Sequence, residues 1–144
     1  MTTSFLLVHS FLIVHLVATL LMVGIIWMVQ VVHYPLMAYT GPEHAPRYQQ
    51  LHVRRMAWLV TPIMIVEATC SVWLFLNMEG WLFSTGIVLL GGIWLVTLMV
   101  SVPSHNVLVE RFDSTTHRRL VSSNALRAAL WTSRGVLALS MVVT

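Results

Sequence analysis

The chain has 144 residues, 58% of them hydrophobic and only 9% formally charged. Soluble domains carry about 25% charged residues, so this composition excludes a disordered segment, a coiled coil and a water-soluble enzyme; a mean hydropathy of +0.83 agrees. The net charge is +3, from eight basic residues that are all Arg, too sparse for a nucleic-acid-binding stripe, so no nucleic-acid partner is expected.

A membrane-spanning helix needs about 20 largely apolar residues. Four stretches meet that length, and the expected helices cover about 5–33, 53–77, 81–102 and 118–143. The length leaves room for a single transmembrane domain over 1–144. The opening Met-Thr-Thr-Ser lacks a basic residue, and the run after it exceeds the roughly 7–15-residue core of a signal peptide, so a retained first helix is expected.

The first span carries His15, Thr19, Met22, Ile26, Gln30 and His33 at steps of three and four, a polar stripe on one helical face. It ends in His33-Tyr34-Pro35, and the connection beyond it holds Arg47, Arg54 and Arg55. In the second span, Glu67 lies roughly 18 Å beyond Arg55 at 1.5 Å per residue. Asn77 to Gly80 predicts a tight turn. The third span repeats the polar stripe with Trp94, Thr97, Ser101 and His105, and its connection carries Glu110, Arg111, Asp113, Arg118 and Arg119. The fourth span aligns His117, Leu120, Asn124, Arg127, Trp131 and Arg134 on one face.

The two Arg-rich connections both follow odd-numbered spans, whereas the termini and the Asn77–Gly80 turn carry no Arg. The positive-inside rule therefore places the long connections in the cytoplasm and both termini outside, as in a multi-pass protein of a bacterial inner (plasma) membrane. The fold expected is all-α: an antiparallel four-helix integral membrane bundle with short amphipathic segments on the cytoplasmic side. A faint internal repeat accompanies it. Each half has a span ending in His and Pro, a polar piece, and a His–basic cluster opening the next span (His52-Val53-Arg54-Arg55; His117-Arg118-Arg119).

Ionisable groups within a span cost about 2.5–3.5 kcal/mol each on insertion scales and usually face the bundle or a cavity. Arg127, about 12 Å beyond Arg119, is read as an interior group; Arg134, roughly 22 Å beyond it, as interior or snorkelling outward. Both are candidate partners of Glu67, either as a structural ion pair or as part of a polar pocket. The histidines raise a second question. His33, His52, His105 and His117 fall one per span at one expected depth, where four imidazoles would touch headgroups and cap loops, hold a metal ion or haem, or bind an anionic substrate. No pair has the close His-x3-His or Glu-x2-His spacing of a strong metal motif. Cys70 lies alone in an apolar run, as a small hydrophobe would. Gly91-Gly92 and Ala125, Ala128 and Ala129 read as close-packing positions.

Two groups of motifs carry a resemblance. The first is Trp27-x-x-Gln30-x-x-His33-Tyr34-Pro35, His52-x-x-Arg55 and Pro62-x-Met64-x-x-Glu67. The second is Val102-Pro103-Ser104-His105, Phe112-Asp113, His117-Arg118-Arg119-Leu120-Val121, Asn124, Arg127, Trp131 and Arg134. Together they resemble a family of short bacterial four-helix membrane proteins with no assigned activity. More distantly, the Asn124, Arg127 and Trp131 pattern is similar to that of anthrone-oxygenase-like membrane proteins, which implies oxidation of an aromatic or quinone-like molecule. Where that pattern has an aromatic after Asn124, this chain has Ala125.

Three functions follow as alternatives. One is a redox or oxygenase-like protein, an oxidoreductase if it is an enzyme, with a metal or haem among His33, His52, His105 and His117. Another is a binding or transport module in which Glu67, Gln30, Asn124, Arg127, Trp131 and Arg134 form a cytoplasm-facing pocket for a small apolar, anionic or quinone-like molecule. The third is a structural subunit of a larger membrane complex. Membrane lipid is an expected partner in each, and an oligomer fits any of them.

Overall fold

A computed structural model describes the backbone of residues 2–143 and the side chains of 4–143. Among the described residues the chain is all helical, with no strand. Helix α1 (Thr2–Met28) runs through a π-helical segment (Val29–His33) into α2 (Tyr34–Met37). Helix α3 (Ala45–Asn77) follows, then α4 (Trp81–Val96), a second π segment (Thr97–Ser101), α5 (Val102–Glu110) and α6 (Ser114–Val143). Four stretches are long and apolar enough to cross a membrane: Ser4–Met37, Ala45–Asn77, Trp81–Glu110 and Ser114–Val143. They form a four-helix bundle that fits an integral membrane protein by length and composition.

The helices outrun the expected boundaries on the Arg-rich side. The polar pieces anticipated there as separate amphipathic segments are continuous with the spans, because helix geometry persists where the apolar pattern stops. Residues 45–52 open α3, and 103–110 extend the third span. At the other end the expected turn is present, with Gly80 at φ +132°, a backbone region that L side chains rarely adopt.

The two π segments share a sequence logic. Each ends two residues before a proline, Pro35 or Pro103. Proline has no N–H to donate and its ring crowds the carbonyl one turn back, and a helix can relieve this by widening locally; Pro62 lies inside α3 without such a segment. The recurrence gives the internal repeat a structural counterpart: both odd spans widen at the same spacing before a proline, next to His33 and Ser101.

The interior of the bundle mixes apolar and polar side chains, and its outside is largely apolar. Among the described residues, twelve polar or charged ones are buried, His15, Glu67, Asn124, Arg127 and Arg134 among them, whereas Leu20, Val31, Leu95 and Val136 are exposed. Lipid solvates an exposed leucine as well as another leucine does, so packing and buried polar contacts must decide which faces meet. The apolar core is layered along the bundle. Leu12, Leu74 and Met141 make one layer. Met22, Ile26, Met64, Ile93, Ala128 and Trp131 make the middle one. Val29, Tyr34, Met37, Leu108 and Leu120 make the last. Of the expected close-packing positions, Ala128 is buried in the middle layer and a Cβ at Gly92 would lie 3.8 Å from Leu130 Cδ1, whereas Gly91 has open space around it and Ala125 and Ala129 are exposed. A tighter approach lies at Gly135, where an added Cβ would stand 3.3 Å from Val23 Cγ2.

Candidate functional site

Two polar regions lie along α6, separated by the middle apolar layer. The first is closed. Arg134, 1% exposed, donates to the Gly86 carbonyl, to Glu67 Oε1 and to Ser71 Oγ (2.6 Å). Glu67 is fully buried, and the same Oε1 lies 3.3 Å from His15 Nε2 and accepts from Ser71 (3.2 Å) and Thr19 (3.4 Å). Residues from α1, α3, α4 and α6 therefore meet on one ion pair. The second alternative for Arg134, snorkelling outward, is corrected by this burial: a carboxylate and a backbone carbonyl at its own depth satisfy the guanidinium. The Glu67–Arg127 pairing is likewise corrected, since Glu67 takes Arg134 as its partner.

The second region is a cavity of about 350 Å³, within the roughly 300–1,000 Å³ range of small-molecule sites. Its wall is mostly apolar, from Met22, Ile26, Val60, Met64, Trp94 and Leu98 among others. Tyr34, His52, His105, Asn124 and Arg127 supply its polar part. Asn124 Nδ2 donates to Gln30 Oε1 at 2.9 Å and to the Ile26 carbonyl at 3.4 Å, while its buried Oδ1 has no partner. Arg127 is 8% exposed. Its Nε is buried without a partner, and among the described residues the guanidinium joins neither a hydrogen bond nor an ion pair. Trp131, fully buried in the layer between the two arginines, leaves its Nε1 unpartnered as well.

The four histidines do come together, around a residue whose role was not anticipated. The Tyr34 ring lies 5.8 Å from His33, 6.3 Å from both His52 and His105, and 6.5 Å from His117, centroid to centroid. Their ring nitrogens do not converge. His33 and His52 stack at 3.8 Å with planes 15° apart, and an imidazole lone pair lies in its ring plane, so one ion cannot sit in both planes at about 2.0–2.1 Å. His105 uses Nε2 toward Tyr34 Oη (3.3 Å) and Nδ1 toward Gln49. His117 Nε2 donates to the Tyr34 carbonyl at 3.2 Å. Among the described residues, no group of three or more His, Cys, Asp or Glu side chains is arranged to hold a metal ion. As it stands the cluster is a set of packed aromatic rings around Tyr34 whose ring nitrogens do not converge on one point.

Sequence reasoning passed over His15, Ser71 and Tyr34 as site residues. His15 and Tyr34 were visible, one on the polar stripe of α1 and the other inside a quoted motif, but neither carried a signal of which neighbour it meets. Ser71, one turn beyond Glu67, was legible by spacing alone. His9, which packs on the Phe5 ring, and His44 belong to neither region. No family model, curated protein or solved structure matches the chain.

Proposed function

We propose that this chain is an antiparallel four-pass bundle of the bacterial inner membrane, with both termini outside, whose cavity binds a small amphiphilic molecule. Arg127 is the anchor for an anionic or carbonyl oxygen on that molecule's head, and the apolar wall takes its body. One observation carries the reading: a guanidinium held in a low-dielectric bundle with no counter-charge among the described residues, at the edge of an apolar cavity. Arg stays charged in proteins, and a buried charge without a partner is expensive. A ligand oxygen would supply the missing acceptor through a charge-assisted bond, worth about 1.5–3 kcal/mol.

The orientation rests on Arg47, Arg54, Arg55, Arg111, Arg118 and Arg119, all on one side of the four spans. A reporter enzyme active only in the cytoplasm, fused to the C-terminus, should be silent; strong activity would reverse the topology. The site is tested with detergent-purified protein and two probes, a decyl-chain benzoquinol and decanoate. Saturable binding of either, weakened about 10–100-fold by Arg127→Met, supports the cavity reading. Absence of binding by both would leave the structural-subunit alternative in its place.

A further inference from the structure

The cavity has one closed end and one open side. Toward the Arg-rich face it is capped: Tyr34 and Met37 are 1% exposed and Gln49 and Leu108 are 0% exposed, and the four histidine rings pack about Tyr34. A ligand coming along the bundle axis from water would have to displace this plug. On the side the arrangement differs. Ala57 and Thr61 of α3, and Leu98 and Val102 of the third span, line the cavity and are also exposed on the outer surface of the bundle. A residue that faces both the cavity and the exterior marks the rim of an opening. At 1.5 Å per residue Ala57 lies roughly 3 Å and Thr61 roughly 9 Å beyond Arg55, and Val102 roughly 12 Å and Leu98 roughly 18 Å before Glu110, so the rim runs from near the water boundary down to the depth of the acyl chains.

We propose that the ligand enters sideways from the lipid, through a slot between α3 and the α4–α5 span bordered by Ala57, Thr61, Leu98 and Val102. This rests on the reading of the cavity as a binding site and narrows its ligand. The molecule must dissolve in the bilayer. Its head must offer an acceptor to Arg127 and an O–H to Asn124 Oδ1, whose amide nitrogen is already committed to Gln30 and Ile26. Arg127 and Asn124 are three residues apart, neighbours on one helix face, so a single head group can reach both. A phenol or quinol head meets both demands; an ionised carboxylate meets only that of Arg127.

The test uses the full chain in lipid nanodiscs, with decyl-chain benzoquinol and decanoate as probes, and follows binding and release by stopped-flow tryptophan fluorescence, since Trp94 lines the cavity. Ala57→Trp and Thr61→Trp narrow the rim without touching Arg127 or Asn124. Both should slow association and release of the quinol by about tenfold while Kd stays within about twofold, because a gate alters rates and not the bound state. Leu108→Ala, which loosens the capped end at a buried residue that packs with Tyr34 but does not line the cavity, should leave the rates unchanged. Rates unaffected by either tryptophan, or raised by Leu108→Ala, would overturn lateral entry. If a tryptophan variant does not fold, Ala57→Leu and Thr61→Leu take its place, and raising the lipid-to-protein ratio at constant total quinol should slow association by diluting the probe in the membrane; a rate that follows only the aqueous concentration contradicts the slot. Asn124→Leu should cost quinol affinity about tenfold and leave decanoate unchanged; equal losses would remove the O–H requirement. Failure of the underlying site is separate and recognisable: Arg127→Met would then bind both probes as the unaltered protein does.

Discussion

Two arginines on α6, seven residues and two turns apart, are both buried and live in opposite circumstances. Arg134 has a carboxylate, a hydroxyl and a backbone carbonyl around it, whereas Arg127 faces a cavity with no protein acceptor among the described residues. The same residue type, buried in both places, therefore serves two ends. One ties four spans together where lipid offers them no hydrophobic reason to associate. The other is a charge whose partner has to arrive from outside the chain.

The contrast breaks most visibly if the partners are removed. Arg134→Ala strands Glu67 and should cost about 3–5 kcal/mol, the usual penalty for one half of a buried pair. Thermal or denaturant unfolding in detergent should show a large fall in Tm and in folded yield. The double change Arg134→Met with Glu67→Gln should recover a substantial part, because no charge is left unpaired. Arg127→Met, by comparison, strands nothing in the protein and should leave Tm unchanged or raise it. An Arg127→Met variant as unstable as Arg134→Ala would erase the distinction.

Packing sharpens the same comparison at lower amplitude. Gly135 adjoins Arg134 on α6 and lets that helix approach α1, with Val23 Cγ2 3.3 Å from where a Cβ would stand. Gly135→Leu should destabilise by about 1–3 kcal/mol through overpacking. Gly91→Ala, in open space, should be neutral or stabilising by up to about 1 kcal/mol from helix propensity; both shifts are readable as Tm.

The smallest effect lies outside the spans, at the start of α6. Asp113 Oδ2 accepts from the Thr116 backbone N–H at 2.6 Å and from its hydroxyl. These bonds hold its carboxyl below the usual carboxylate range. A depressed folded-state pKa stabilises above the unfolded value, near 3.9, and that contribution is lost as pH falls through the lower folded value. Asp113→Ala should remove this part of the acid dependence of Tm; an unchanged acid limb between about pH 2 and 5 would contradict it.

Much of this was legible in the chain. Spacing of apolar residues placed four spans, and steps of three and four selected the buried face of α6: His117, Leu120, Asn124, Arg127, Trp131 and Arg134 are all buried. Pairing was not legible. Depth along a helix follows from 1.5 Å per residue, but Arg127 and Arg134 bracketed Glu67 in depth, and only rotation about each axis decides which one meets it. The histidines repeat the lesson. A shared depth did bring four rings together, yet ring planes and hydrogen-bond commitments are side-chain geometry that spacing does not encode. The π segments were also hidden, since Pro35 and Pro103 announce a local disturbance without saying whether the helix ends or widens.

The central claim is that Arg127 is the acceptor-seeking end of a ligand cavity and Arg134 is not. The most direct measurement is the thermal stability of the unaltered protein and of Arg127→Met in detergent as decyl-chain benzoquinol is added. A ligand that binds the folded state raises Tm with its concentration. We expect a saturable rise for the unaltered protein and a response displaced to about 10–100-fold higher concentration for Arg127→Met. Identical curves for the two would contradict the assignment of Arg127 as the anchor.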